Sequence, residues 1–239
     1  MCRMLVAAGN FTIDHLIDDF ILMAADQNER HEKNLDQEFK HGDGWGMAYL
    51  EHGELKVFRS PKAVFEDDQI HRFRQLQTDL VLLHARKASR GQVELRNVHP
   101  FACQLQGRRY VFCHNGTIHD ELVFDNAFKP IGSTDSERLF YYLLTNSNGQ
   151  LTPTLLKAKL EKIKNFTAAN FILSDGKTIY ASNWYTENPN YYSLKVLQKP
   201  GLIIVASEKL PHYRTDAWKI LENQDIVSVG TSDLSVKIN

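Results

Sequence analysis

At 239 residues the chain has room for one large domain or two small ones, and with 43% hydrophobic and 24% charged residues it can bury an ordinary core. A formal net charge of −1 without a long basic run argues against nucleic acid as the main partner, because phosphate binding needs clustered Lys and Arg. No window approaches the roughly 18 apolar residues of a membrane span, no secretory signal is visible at the start, and three cysteines (Cys2, Cys103, Cys113) make an odd count that points to a reducing cytoplasm.

Residues 2–8 read as a strand. Residues 12–26 place Ile13, Leu16, Ile17, Phe20, Ile21 and Ala24 at helical spacing, with Thr12 as N-cap and Asp14 in the first turn. Residues 27–44 are polar and aperiodic, as a surface loop would be. "GWGMAYL" and "ELKVFRS" flank "EHG" as a hairpin. "DLVLLHAR" is a buried strand and "RRYVFCHNG" another, ended by Asn-Gly; residues 87–108 between them read as mostly irregular. "STDSERLFYYLLT" is a helix whose Thr134 and Glu137 fit a capping box, which puts Asp135 at the first helical position. "TPTLLKAKLEKIK" is a second helix with Thr152 as cap and Pro153 at N1. Then come "NFILSD", "TIYASNW", "YYSLKVLQ", "LIIVAS" and "DIVSVG" as short strands, the first two joined by a tight "SDG" turn. Strands that cluster with hairpin signals, without a helix after each, predict largely antiparallel sheets with two or three helices packed on them, in a single domain over 1–239.

Four places can carry chemistry. Cys2 is either a small residue at a strand start or, once Met1 is removed, a thiol beside its own free amine. Arg86 ends a buried strand, either leaving it for solvent or offering a fork of donors to a carboxylate. Asn115-Gly116 is either a turn or an oxyanion hole made from a side-chain NH2 and a backbone N–H. Asp135 suits the helix dipole and could equally accept from an ammonium group.

In the order Cys2, Arg86, Asn115-Gly116, Asp135, and together with "GDGWG" (42–46), "NVHPF" (97–101), "HARKAS" (84–89) and "VASEKL" (205–210), the chain resembles the class II glutamine amidotransferases, and within them the standalone YafJ-type members. Lys209 stands where the resemblance leads one to expect proline. The resemblance implies an α+β fold, a four-layer αββα sandwich of two mainly antiparallel sheets, as in N-terminal nucleophile hydrolases. It implies catalysis from Cys2 as first residue, with Asn115 and Gly116 holding the oxyanion. Arg86 would grip the α-carboxylate of glutamine and Asp135 its α-ammonium, with Ser89 and His99 closing the pocket. A thiol of reference pKa about 8.5 beside an α-amine of about 7.7–8.0 needs no histidine base. The glycines of "GDGWG" are expected to let the chain approach Cys2 closely, with Trp45 in the core.

The expected reaction is hydrolysis of a γ-glutamyl amide through a thioester, releasing ammonia from glutamine, without cofactor or metal. The chain ends soon after the sandwich, so any ammonia acceptor would be a separate protein. Hydrolysis of a γ-glutamyl peptide or conjugate is the alternative within the fold, and a non-catalytic γ-glutamyl-binding subunit the alternative outside it. A zinc site from His84, His99, Cys103, Cys113 and His114 is disfavoured, because adjacent Cys113 and His114 point to opposite faces of a strand and no CxxC or HxxxH spacing occurs.

Overall fold

The computed structural model describes residues 2–29 and 38–239. The elements run β1 (Arg3–Gly9), α1 (Ile13–Ala24), β2 (Trp45–Glu51), β3 (Glu54–Ser60), β4 (Leu80–Ala85), β5 (Phe101–Leu105), β6 (Arg108–Asn115), α2 (Asp135–Leu144), α3 (Pro153–Leu160), β7 (Asn170–Ser174), β8 (Thr178–Asn183), the single turn α4 (Pro189–Tyr192), β9 (Lys195–Lys199), β10 (Leu202–Ala206), β11 (Trp218–Ile220), β12 (Asp225–Gly230) and β13 (Val236–Ile238). One sheet has the order β11-β9-β10-β1-β4-β2-β3, the other β13-β12-β8-β7-β6-β5. Every pairing is antiparallel.

The layers follow from the two-residue period of the strands. In β1, Leu5 and Ala7 face α1, where they join Leu16, Ile17 and Phe20. Met4, Val6 and Ala8 face the other sheet and meet Val111, Cys113 and Ile172. In β6 the alternation repeats: Tyr110 and Phe112 turn outward onto Leu139, Phe140 and Leu156 of α2 and α3. Three apolar layers therefore separate helix, sheet, sheet and helix, the αββα sandwich expected from the resemblance. Among the described residues no helix is long and apolar enough to cross a membrane.

Several local expectations change. The stretch read as irregular contains β5, an edge strand whose Ala102 and Gln104 are exposed and whose apolar signal is correspondingly weak. "YYSLKVLQ" is a strand only from Lys195; Pro189 starts a helical turn that holds both tyrosines, despite their β propensity. β11 and β13 are three-residue edge strands, too short to leave a period. Thr134 caps α2 as expected, accepting from Glu137 N–H at 3.3 Å, but the Glu137 carboxylate reaches past the cap to Ile131 N–H and Gly132 N–H (3.0 and 2.7 Å). Thr12 sits at the N-cap of α1 without a side-chain bond. Of the 27–44 segment, 27–29 and 38–44 are non-helical; the rest of it, and Met1, lie outside the described residues.

Candidate active site

Strand direction and parity bring the sequence-predicted residues to one end of the sandwich. β1 begins where β4 ends, since Arg3 pairs with Ala85. Cys2 shares the inward parity of Met4 and Val6, and Asn115 shares that of Val111 and Cys113, so the two face each other across the gap between the sheets. The Cys2 backbone nitrogen donates to Asn115 Oδ1 at 2.7 Å. The thiol, itself buried, lies 3.9 Å from the Lys87 carbonyl oxygen. Parity also sends Cys113 inward and His114 outward.

The Asn115 amide is polarised in its use. Its oxygen is engaged by Cys2, while Nδ2 is buried and has no hydrogen-bond partner among the described residues. A buried donor without a partner costs about 1–3 kcal/mol. Gly116 follows at φ +148, where a Cβ would stand 1.9 Å from the Ala168 carbonyl oxygen, so only glycine fits this turn. Thr117 N–H donates to Thr167 Oγ1 (3.0 Å) and Ile118 N–H to Asp135 Oδ2 (2.6 Å). The first residue of α2 thus clamps the segment 115–118 through a carboxylate that its N-terminal position favours. Ser89 is exposed and its hydroxyl meets that of Thr117 at 3.0 Å.

Arg86 is buried at the end of β4, and its surroundings differ from a simple open fork. Nη1 faces the carbonyls of Asp43 and Gln92 (3.5 and 3.2 Å), and Nη2 those of Arg90 and Gly91 (2.7 and 3.3 Å). No carboxylate among the described residues pairs with it. Neutral carbonyls solvate the guanidinium and leave its charge uncompensated. The "GDGWG" loop supplies this frame: Asp43 N–H donates to Arg86 O, Arg86 N–H to Gly44 O, and Ala88 N–H to Asp43 Oδ2. Gly44 and Gly46 make room for the 98–99 segment, not for Cys2: a Cβ on Gly46 would lie 2.2 Å from His99 O and one on Gly44 2.6 Å from Val98 Cγ2. Trp45 is fully buried in the α1-side core, its Nε1 donating to Asp67 Oδ2.

His99 is buried beneath the site. Its ring lies 4.1 Å from that of His84 and 4.6 Å from that of Phe101, with neither nitrogen hydrogen-bonded among the described residues. Burial holds it well below the usual histidine range, and pushes His84 down to about 3. His84 Nε2 lies 3.2 Å from His114 O, and His114 spans Ser136 Oγ (2.9 Å) and Ala168 O (3.1 Å). Burial lowers His114 too, so the imidazole is neutral; Nε2 then donates to the carbonyl and Nδ1 accepts from the hydroxyl. Among the described residues no three of His, Cys, Asp and Glu converge as metal ligands would.

Two supports of Cys2 had no sequence signal. The Tyr191 hydroxyl donates to Cys2 O at 3.3 Å, and His41 Nε2 lies 3.1 Å from the same hydroxyl. Burial holds His41 well below the usual range, so it is neutral. Behind them Arg3 stacks on the Tyr191 ring (4.2 Å) and pairs with Glu208, both fully buried. Glu208 also accepts from Asn28 Nδ2 and Glu29 N–H. Glu208 belongs to "VASEKL", whose departure is used: Lys209 donates to Glu29 Oε2 the N–H that a proline would lack.

The four-layer sandwich of two antiparallel sheets is the fold that N-terminal nucleophile hydrolases share. Superposition agrees: the glutamine phosphoribosylpyrophosphate amidotransferase of B. subtilis matches this whole chain with a TM-score of 0.69 at 16% identity. This chain spans 49% of that one, and the likeness speaks for the fold. The sequence pattern described as glutamine amidotransferases class-II matches residues 4–225, and the chain belongs to that family. YafJ of Escherichia coli is 28% identical over 190 residues, 72% of this chain and 74% of its own. A gamma-glutamyl-hercynylcysteine sulfoxide hydrolase of Mycobacterium tuberculosis is 23% identical over 201 residues, 80% of this chain and 78% of its own.

Proposed function

We propose that the chain, as one catalytic domain beginning at Cys2 after removal of Met1, hydrolyses the side-chain amide of glutamine. The Cys2 amine takes the thiol proton, and the sulfur attacks the amide carbon. Asn115 Nδ2 and the Gly116 N–H hold the resulting oxyanion. Collapse breaks the C–N bond, the nitrogen leaves as ammonia with the proton, and water then cleaves the γ-glutamyl thioester. Arg86 receives the α-carboxylate, which takes the place of its longer contacts to Asp43 O and Gly91 O. Asp135 receives the α-ammonium, with Ser89 and His99 supporting the surrounding walls. Any acceptor of the ammonia would be a partner protein.

The observation that carries this reading is the Asn115 amide, whose oxygen holds the nucleophile's own nitrogen while its buried Nδ2 has no partner among the described residues. A strong donor kept dry beside a nucleophile is what transition-state stabilisation of an oxyanion requires. A second substrate class is favoured by the mycobacterial relative, named for a γ-glutamyl conjugate. The head-group cradle would serve both, and only the leaving group would differ. Ammonia release from glutamine and amine release from γ-glutamyl peptides, measured side by side, decide between them. Cys2→Ala should abolish both; turnover near the wild-type rate in that variant would refute the mechanism.

A further inference from the structure

Edge strands β3 and β5, one from each sheet, bound a cleft of about 540 Å³. Its apolar floor is Val57, Pro100 and Phe101, and Arg59, Arg96 and Arg109 stand around it. None of Cys2, Arg86, Asn115 or Asp135 lines it.

The charges are unevenly satisfied. Arg96 is held by Glu94 at 2.9 Å. Glu137, the carboxylate lining the cleft, already accepts from Ile131 N–H, Gly132 N–H and the Tyr141 hydroxyl (3.0, 2.7 and 3.2 Å). Arg59 is half-buried, yet its one side-chain hydrogen bond among the described residues is from Nη1 to Val98 O at 3.2 Å. Burial pulls its pKa below the usual arginine value. The Arg109 side chain, exposed, makes no hydrogen bond or ion pair among the described residues. Two guanidinium groups thus border an apolar floor with most of their donors unused, in a volume typical of small-molecule sites. A guanidinium partly withdrawn from water is stabilised by an anion that it can grip through two parallel bonds. Leu95 and Ile131, 48% and 73% exposed, form an apolar rim.

We propose that this cleft is a second ligand site, for a small organic anion. Its apolar body, flat enough to lie on Val57, Pro100 and Phe101, carries a carboxylate or phosphate held between Arg59 and Arg109. The wall of the cleft is tied to the substrate side. Asn97, which closes the turn carrying Leu95 and Arg96, donates to Gln92 O, the carbonyl that also accepts from Arg86.

Calorimetric titration of the full chain with phenyl phosphate, benzoate, inorganic phosphate and benzyl alcohol tests this without needing turnover, so its failure is separate from failure of the proposed reaction. Phenyl phosphate or benzoate should bind one-to-one, about tenfold or more tighter than inorganic phosphate or benzyl alcohol, and the stronger of the two identifies the head group. Arg59→Met and Arg109→Met should each weaken that binding about tenfold or more, the loss expected for a charge-assisted hydrogen bond. Arg109 is exposed, so its variant decides the matter if Arg59→Met does not fold. Absence of saturable binding, equal affinity for inorganic phosphate, or affinity unchanged in Arg109→Met would each overturn the proposal.

Discussion

Asn115 accepts the backbone N–H of Cys2 at 2.7 Å across the gap between the two sheets, and so ties the end of β6 to the start of β1. The bond uses the oxygen of the amide and directs its nitrogen into a buried space without a partner among the described residues. One side chain thereby holds Cys2 and, on the proposed mechanism, keeps a donor ready for the oxyanion. Asn115→Ala should lower kcat about 10²–10³-fold, the usual loss for one oxyanion donor. Steady-state glutaminase kinetics check this, and a loss below about threefold would remove Asn115 from the chemistry.

Tyr191 acts on the other side of the same residue. Its hydroxyl donates to Cys2 O and is itself backed by neutral His41. Tyr191→Phe keeps the ring against Arg3 and deletes only the hydroxyl. One neutral hydrogen bond is worth about 0.5–1.5 kcal/mol, so kcat should fall about 3- to 10-fold with KM nearly unchanged. A change confined to KM, or to melting temperature, would show that the hydroxyl does not position the terminus.

Asp135 has both a local and a substrate-facing assignment, and one substitution separates them. Asp135→Asn keeps an oxygen that can accept from Ile118 N–H, so the 115–118 turn should persist and the melting temperature change little. The charge proposed to face an α-ammonium is lost, so KM should rise about 10- to 100-fold, in line with about 1.5–3 kcal/mol for a charged hydrogen bond. If the melting temperature falls while KM stays put, the carboxylate is there for the fold alone.

Acid should destabilise this protein through its buried imidazoles. His41, His84, His99 and His114 all titrate below their unfolded value near 6.5 because burial disfavours the charged ring. Below pH 6.5 the unfolded chain binds protons that the folded one does not. Their stabilisation is thus complete above about 6.5 and is lost as pH falls toward the folded values, about 3 for His84. Each such group costs about 1.4 kcal/mol per pH unit within its window. Urea midpoints at pH 7.5 and 5.5 should show the lower value at 5.5; equal midpoints would mean that the rings are solvated in the folded state.

The local setting of the candidate residues was legible because they sit where simple rules place them. Arg86 ends an apolar strand, Asn115-Gly116 ends another, and Thr134 as N-cap puts Asp135 at the first turn of α2. The opposition of Cys2 and Asn115 follows from strand parity once the two sheets are known to face each other. What was hidden has no side-chain pattern. Arg86 is framed by the backbone carbonyls of residues 43 and 90–92, which any sequence supplies. Tyr191 lies in a turn whose two tyrosines look like strand residues, and His41 in a segment without periodicity. Glu137 fits a capping box by spacing, yet its longer reach to Ile131 and Gly132 depends on how the preceding loop folds back.

The most direct test is intact-mass spectrometry of wild-type protein, before and after rapid acid quench during glutamine turnover, with each species assayed for ammonia release. The account predicts that the active species begins at Cys2 and carries a transient γ-glutamyl mass on that residue. Full activity in a population that retains Met1, or a glutamyl adduct that persists unchanged in Cys2→Ala, would contradict it.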